Sequence, residues 1–108
     1  MRDGVFYSTA AQSEIIELPQ RREGRRVLDA IDRLARDPRP PGSRRLTDSS
    51  LWSIRVGDLR VIYSIDDDAA VVVVLRAAHR TRVCEVDLAD LQRRAAKAIR
   101  RERLSEEG

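Results

Sequence analysis

Arginines on predicted strands are the residues of this 108-residue chain with the clearest chemical potential. A guanidinium group stays charged at every physiological pH and can bind a phosphate through two parallel hydrogen bonds. Several guanidinium groups on one sheet surface would bind a phosphodiester and stabilise extra negative charge on it in a transition state. The arginines that fall in or next to strand-forming stretches are Arg55, Arg60, Arg76, Arg80 and Arg82.

The distribution of charge favours a polyanionic ligand. The chain has 21 basic and 18 acidic residues, a net charge of +3, and Lys97 is its single lysine. The positive excess lies in the middle of the chain: residues 19–37 sum to +2, and residues 38–82, where most of the predicted strands lie, sum to +3. For any single arginine, a solvated side chain or a surface ion pair is the alternative interpretation. For Arg60 and Arg80 together this alternative is weaker, because both adjoin apolar strand segments that we expect to be buried.

Other catalytic signatures are scarce in the sequence. His79 is the only histidine, Cys84 is the only cysteine, and no glycine-rich loop precedes a predicted helix. We therefore predict neither a metal nor a cofactor. One cysteine cannot form an internal disulfide, and the apolar run 69–75 is far shorter than a membrane helix requires. The expected location is the cytoplasm, with no membrane partner.

Two helices are predicted in the first third of the chain. Thr9 and Gln12 have the spacing of a helix-capping box, and Pro19 ends the segment that follows. The second helix is predicted over residues 21–36, where Val27, Ile31 and Leu34 recur on one face. The link between them is short, so the two helices should form an antiparallel hairpin.

Strands dominate the remainder. Residues 5–8 are predicted as an N-terminal strand, and alternation with tight turns predicts three consecutive strands within residues 51–79. Their connections are too short for crossovers, so these strands should form an antiparallel meander. Residues 81–86 would add a short extended segment, and a narrow apolar stripe predicts a C-terminal helix at about 87–103. The fold class is therefore α+β, one domain over residues 1–108, with the helical hairpin on one face of the sheet and the arginines on the open face.

One stretch of the sequence resembles a known family. Residues 51–63, LWSIRVGDLRVIY, are followed by acidic residues and by a valine-rich strand that ends in His79 and Arg80. This pattern resembles the RelE/ParE superfamily of toxins from bacterial type II toxin–antitoxin systems, over residues 5 to about 86. The resemblance implies two helices packed against an antiparallel sheet, which agrees with the order of elements predicted above.

The resemblance also implies a function and roles for individual residues. RelE-type toxins cut mRNA in the ribosomal A site without a metal, which makes the ribosome, mRNA and a cognate antitoxin the expected partners. Arg55 matches a basic strand residue of the family site, Arg60 the phosphate-stabilising arginine, and Arg80 the arginine after the long strand. The RNA-binding residues predicted beside this catalytic set are Arg44, Arg45, Arg76 and Arg82.

A departure from the family pattern leaves alternatives open. Many RelE-like chains carry a tyrosine four residues after the position of Arg80, where this chain has Cys84. A thiol can act as an acid or a base, but it cannot stack on a nucleobase. The alternatives are a ParE-like toxin that inhibits DNA gyrase without nuclease chemistry, and a degenerate toxin that only binds its antitoxin. Antitoxins of this class mask basic surface, and the predicted C-terminal helix is either part of the docking face or a mobile flap.

Overall fold

Helices and strands follow the predicted order in a computed structural model that describes residues 4–46, 50–68, 70–79 and 93–97. The α+β class, the helical hairpin and the N-terminal strand are confirmed. Residues 93–97 are helical, in agreement with the predicted C-terminal helix, while 87–92 and 98–103 lie outside the described residues. The elements are β1 (Gly4–Tyr7), α1 (Thr9–Ile16), α2 (Arg21–Arg36), β2 (Arg44–Arg45), β3 (Leu51–Val56), β4 (Leu59–Asp66) and β5 (Val71–His79).

The five strands form one sheet with the spatial order β1-β5-β4-β3-β2. Strands β3, β4 and β5 form the predicted antiparallel meander. β1 adds to the edge of β5 in parallel, because α1 and α2 intervene before the chain returns to the sheet. β2 was not predicted: it is a two-residue strand that pairs with Trp52 and Ser53 of β3. The predicted extended segment at 81–86 lies outside the described residues.

The helical hairpin covers one face of the sheet, called here the helix-covered face. Its buried core joins apolar residues of α2 to alternate residues of β4 and β5, with Trp52, Ile54 and Val56 of β3 packed against the margin. Burial of a large aliphatic side chain contributes about 1.5–3 kcal/mol, so these contacts hold the hairpin on the sheet. The fully buried residues of this core include Val27, Ile31, Leu34, Val61, Tyr63 and Val74.

The opposite face of the sheet, called here the second face, is not open over its whole area. Leu51, Ile62, Val73 and Leu75 form a second buried cluster there, and Ala95 from residues 93–97 packs into it. The expectation of one uncovered face was therefore wrong at this end of the sheet. The reason is that Val71–Leu75 is apolar on both sides, so both sides are removed from water.

The start of α1 differs from the prediction by one residue. Ser8, and not Thr9, is the N-cap: its hydroxyl accepts a hydrogen bond from the Ala11 N–H at 3.0 Å. The same hydroxyl donates to the carbonyl of Leu75 at 2.8 Å. This second bond to β5 explains the shift, because it ties the cap to the sheet. No helix in the described part of the chain is long and apolar enough to cross a membrane.

Candidate functional site: an arginine face

The β3–β4 hairpin brings two predicted site residues together. Arg55 and Arg60 are direct cross-strand partners, so their side chains leave the same side of the sheet. The turn between the strands contains Gly57 at φ +60°, a conformation that glycine adopts without steric cost. The Nε of Arg55 donates to the carbonyl of Gly57 at 2.9 Å, which orients this exposed side chain at the hairpin end.

Arg44 and Ser53 extend this group toward the edge of the sheet. Arg44 is the strand partner of Ser53. Nη1 of Arg60 lies 3.5 Å from the buried Ser53 hydroxyl. The side chains of Arg44, Ser53 and Arg60 therefore share the second face. Arg60 is half-buried, whereas Arg44 and Arg55 are exposed. None of the three arginines forms an ion pair with residues 4–46, 50–68, 70–79 or 93–97. Arg44, Arg55 and Arg60 are called the arginine face below.

Arg76 lies beside the arginine face because of an irregularity in the sheet. The register between β4 and β5 shifts at Ile62/Tyr63, so that Arg76 pairs with Ile62 while Val74 pairs with Tyr63. Leu75 is the extra residue of this bulge. Strict alternation would place Arg76 on the helix-covered face together with Val74. The bulge instead places it on the second face with Ile62.

Arg76 is engaged by a carboxylate of its own chain. Its Nε and Nη2 donate to the two carboxylate oxygens of Glu14 at 2.8 and 2.9 Å, and the Ala77 N–H donates to the same carboxylate at 3.1 Å. The hydrogen bond with Glu14 raises the pKa of the Arg76 guanidinium above its ordinary value. Sequence patterns gave no sign of Glu14, which lies 62 residues away on α1.

The remaining predicted site residues do not join the arginine face in the described structure. Arg45 pairs with Trp52, which packs against the helix-covered face, so Arg45 leaves the sheet on the other side. Arg80, Arg82 and Cys84 lie outside the described residues. His79 is exposed at the end of β5, opposite Leu59.

Like charges opposed across two strands give this site its electrostatic character. Directly opposed side chains of one charge destabilise a sheet, and a bound anion between them removes that cost. Partial burial of Arg60 strengthens its interaction with such an anion, because fewer water molecules screen the charge. The arginine face can therefore bind a phosphate group and stabilise charge that develops on it.

Comparison with known proteins decides the family. A sequence model of the family described as "ParE toxin of type II toxin-antitoxin system, parDE" matches residues 5–84. The chain is also 34% identical to Toxin RelG of Mycobacterium tuberculosis over 80 residues. The aligned region covers 73% of this chain and 92% of that protein. The chain belongs to the RelE/ParE superfamily of type II toxins.

Solved structures agree with this assignment. The toxin is similar to a chain of the RelBE2 toxin–antitoxin complex from Mycobacterium tuberculosis, with 31% identity, a TM-score of 0.61, and coverage of 71% of this chain and 96% of that chain. It is also similar to a chain of the archaeal RelE–RelB complex from Pyrococcus horikoshii, with 28% identity, a TM-score of 0.65, and coverage of 76% and 99%. The fold predicted from the sequence is thus the fold of this toxin superfamily.

A groove between α2 and β3 is a further feature of the toxin, and sequence reasoning missed it. Its volume is about 700 Å³, and it is lined on the helix side by Arg26, Arg33 and Arg36 and on the strand side by Ile54–Gly57. No functional role was predicted for the arginines of α2. The missed signal is their spacing, because residues 26 and 33 are seven apart and so lie on one side of the helix.

The loop between α2 and β2 forms the end wall of the groove, and three contacts hold it. Arg39 binds both carboxylate oxygens of Asp67, at 3.1 and 2.9 Å. Its guanidinium also lies over the ring of Trp52, 5.3 Å from the centroid. The buried Tyr63 hydroxyl donates to the carbonyl of Pro38 at 2.8 Å. Burial is the main reason that the pKa of Tyr63 rises to about 12.

Proposed function

We propose that this toxin cleaves mRNA on the ribosome, with Arg55 and Arg60 binding the scissile phosphate. The observation that carries the proposal is the direct pairing of these two arginines, with no carboxylate of the described chain bound to either. Two guanidinium groups that have no counter-ion among the described residues form a site that an external anion can complete. The similarity to Toxin RelG supports the coarser part of the proposal, that the chain acts as a toxin.

The proposed reaction is attack of a ribose 2′-oxygen on the adjacent phosphorus. A base removes the 2′-hydroxyl proton, the new O2′–P bond forms, and the P–O5′ bond breaks as an acid protonates the departing 5′-oxygen. The products are a 2′,3′-cyclic phosphate and a free 5′-hydroxyl. Negative charge increases on the phosphoryl oxygens in the transition state, and Arg60 is placed to stabilise it because its guanidinium is half-buried.

The other predicted residues take supporting roles in this proposal. Arg44 would contact the RNA backbone beside the scissile phosphate, since it lies next to Ser53 on the arginine face. Arg80 as a phosphate ligand, Cys84 as a proton-transfer group and Arg82 as an RNA contact stay predictions. Arg45 would meet RNA only at the sheet edge.

Arg76 differs from these residues, because Glu14 already neutralises it. It could bind a phosphate only by exchanging this carboxylate for the ligand. We therefore assign Arg76 a smaller part in RNA binding than the sequence alone suggested.

Two kinds of partner follow from the proposal. The first is a cognate antitoxin, since the RelBE2 and RelE–RelB relatives were solved as toxin–antitoxin complexes. The second is the ribosome with its mRNA, which places the site of action in the cytoplasm.

A cleavage assay tests the proposal directly. The purified toxin is incubated with ribosomes that carry a defined mRNA, and the 3′ ends of the fragments are mapped and examined for a cyclic phosphate. We expect cleavage by the wild type and at least a ~100-fold loss in Arg60→Ala, the scale seen when a transition-state donor is removed. Arg21→Ala is the matched control, because Arg21 is an exposed arginine on α2, away from the arginine face. Intact mRNA at high toxin concentration would rule the proposal out.

Inhibition of DNA gyrase is the second candidate function. The observation that favours it is the match to the ParE toxin family over residues 5–84. A supercoiling assay with purified gyrase separates the candidates: inhibited supercoiling with intact mRNA supports this function. If neither mRNA cleavage nor gyrase inhibition occurs and expression does not arrest growth, the chain is a toxin that only binds its antitoxin.

A further inference from the structure

We infer that a pocket beside β1 binds a nucleotide, with the base on an aromatic floor and the phosphate on two basic side chains. This pocket, called the β1 pocket below, is bounded by β1, the start of α1 and residues 93–97. Its volume is about 570 Å³, which is within the range of small-ligand sites. The inference goes beyond the proposed function, because Arg44, Arg55 and Arg60 do not line the β1 pocket.

The charge of the β1 pocket favours an anionic ligand. Arg94 and Lys97 line it from the helical residues 93–97, and none of the described residues that line it is acidic. The two basic residues are three apart in a helix, so they project from the same side. Ala95 anchors this segment, because it packs into the buried cluster of the second face. Lys97 forms no ion pair with the described part of the chain, so its ammonium group can bind a phosphate.

An aromatic ring and two aliphatic side chains form the floor of the β1 pocket. Phe6 lies on the second face beside its strand partner Val73, and Leu75 completes the floor. Val73 and Leu75 are almost fully buried, whereas Phe6 is half-buried and keeps accessible surface. An aromatic side chain is a stacking platform for any nucleobase. A nucleotide therefore uses both the ring and the basic residues, whereas inorganic phosphate would use only the charge.

The free edge of β1 adds hydrogen-bonding groups beside the ring. The N–H groups of Gly4 and Ser8 donate to main-chain carbonyls on the β5 side, at 3.2 and 2.9 Å. Alternate residues of a parallel strand face its neighbour, so the main-chain groups of Val5 and Tyr7 face away from β5. β1 is the outermost strand of the described sheet, and the Tyr7 carbonyl accepts only a long bond from the Gln12 amide, at 3.5 Å. These groups can pair with the polar edge of a base.

The β1 pocket is too far from the arginine face for one phosphate to contact both. Phe6 pairs with Val73 of β5, and Arg60 pairs with Ala78 of the same strand. The positions 73 and 78 are five residues apart, and two strand spacings separate β1 from β4. Ordinary strand geometry converts this offset into about 19 Å. The ligand is thus either a free nucleotide or a nucleotide of an RNA strand that continues beyond the pocket.

Chemical-shift mapping by NMR locates the site on the full, unmodified chain. Nucleoside 5′-monophosphates and a short oligouridylate are titrated separately, at one fixed salt concentration. We expect shifts at residues 5–9, 12 and 94–97 with at least one of these probes. A response to the monophosphates identifies a free nucleotide as a ligand, and a response to the oligouridylate alone identifies an RNA strand. Shifts confined to residues 44, 55 and 60, or no shifts with any probe, would overturn the inference.

Two variants separate stacking from charge. Phe6→Leu keeps an apolar side chain on the floor and should weaken binding roughly tenfold, the scale of base–aromatic stacking. Arg94→Gln/Lys97→Gln should weaken binding by a similar factor and reduce its salt dependence. Arg21→Gln/Arg25→Gln is the control, because it removes the same charge from exposed residues of α2 outside the pocket. It should change the dissociation constant by less than about twofold.

The outcomes for this inference and for the proposed function are distinguishable. Equal weakening by the control pair would mean non-specific attraction to a basic chain, and full binding by a folded Phe6→Leu would mean that no base stacks there; each result contradicts the inference. Should Phe6→Leu not fold, the charge variant and the mapping still decide. Nucleotide binding in the β1 pocket without mRNA cleavage would refute the proposed function alone, and cleavage without such binding would refute this inference alone.

Discussion

Arg55 and Arg60 face each other across β3 and β4 as a directly opposed pair of like charges. Like charges in direct opposition repel, so the pair destabilises the sheet relative to uncharged side chains of similar shape. The pairing is thus a cost to folding that a bound anion would offset. The pair should therefore lower the free energy of unfolding while providing an anion-binding site, and the two effects can be measured separately.

Neutralising one member of the pair should reveal that cost. We expect Arg60→Gln to leave the free energy of unfolding unchanged or to raise it by up to about 0.5 kcal/mol, since it removes the repulsion. The same substitution should reduce the stabilisation that added phosphate gives to the wild type. Urea denaturation with and without phosphate measures both effects. Arg21→Gln serves as the control, and a clear loss of stability in Arg60→Gln would contradict the prediction.

Glu14 should contribute to stability although it lies near no predicted site residue in the sequence. Its carboxylate accepts from Arg76 and from the Ala77 N–H, so it ties α1 to the edge of β5. We expect Glu14→Gln to lower the free energy of unfolding by about 1–2 kcal/mol, because a half-buried guanidinium loses its counter-ion. Glu17→Gln is the matched control, as Glu17 is exposed at the end of the same helix. Equal stability of the two variants would show that the tie is dispensable.

The Tyr63 hydroxyl should stabilise the loop that closes the groove. Tyr63→Phe removes the bond to the Pro38 carbonyl and keeps the ring in the core, so we expect a loss of about 1 kcal/mol. Amide exchange at residues 39 and 42–43 should become faster in this variant. Unchanged exchange there would mean that Arg39 alone holds the loop.

The Tyr63 hydroxyl should also make the stability of the protein depend on pH in the alkaline range. The pKa of Tyr63 is raised from 10.0 to about 12 in the folded protein, so the folded state retains this proton longer than the unfolded chain. The contribution of the hydroxyl is therefore complete below pH 10 and is lost as the pH rises from 10 to about 12. Burial also raises the pKa of Tyr7, so ultraviolet titration of Tyr7→Phe isolates Tyr63. A midpoint near 10 in that variant would contradict the buried environment.

The carboxyl of Asp67 should show a lowered pKa in an acid titration. The bidentate bond from Arg39 holds the pKa of this carboxyl below its ordinary value of 3.8. The ion pair therefore contributes fully above the unfolded pKa and is lost as the pH falls through the lower folded value. Both side chains are exposed, so Asp67→Asn should change global stability little but loosen the loop. Carboxyl chemical shifts across an acid titration measure this pKa, and a midpoint at or above 3.8 would show that the pair does not form.

Much of the fold could be predicted from local patterns. The bounds of α2 at Arg21–Arg36 match the prediction, because the apolar stripe of Val27, Ile31 and Leu34 coincides with the face that is buried. β3, β4 and β5 also span the residues 51–79 in which three consecutive strands were predicted. In each case the signal lies within a few residues of the element it determines.

The candidate site was only partly predictable, because some of its contacts join residues that are far apart in the sequence. The sequence correctly placed Arg55 and Arg60 on the face away from the helical hairpin, and the tight turn between their strands makes them direct partners. It could not anticipate β2, whose two residues carry no strand pattern. It also could not reveal that Arg76 would be bound by Glu14 or that α2 would form a groove with β3.

The sequence by itself determined the class of this protein: a basic surface rich in arginine, a helical hairpin, a meander, and the residue pattern of a toxin superfamily. Only the tertiary structure decided which arginines act together. A single extra residue in β5, Leu75, turns Arg76 to the second face, and a carboxylate 62 residues away then neutralises it. Local propensity acts over a few residues along the chain, whereas strand register and ion pairing depend on groups that meet only after the sheet has formed.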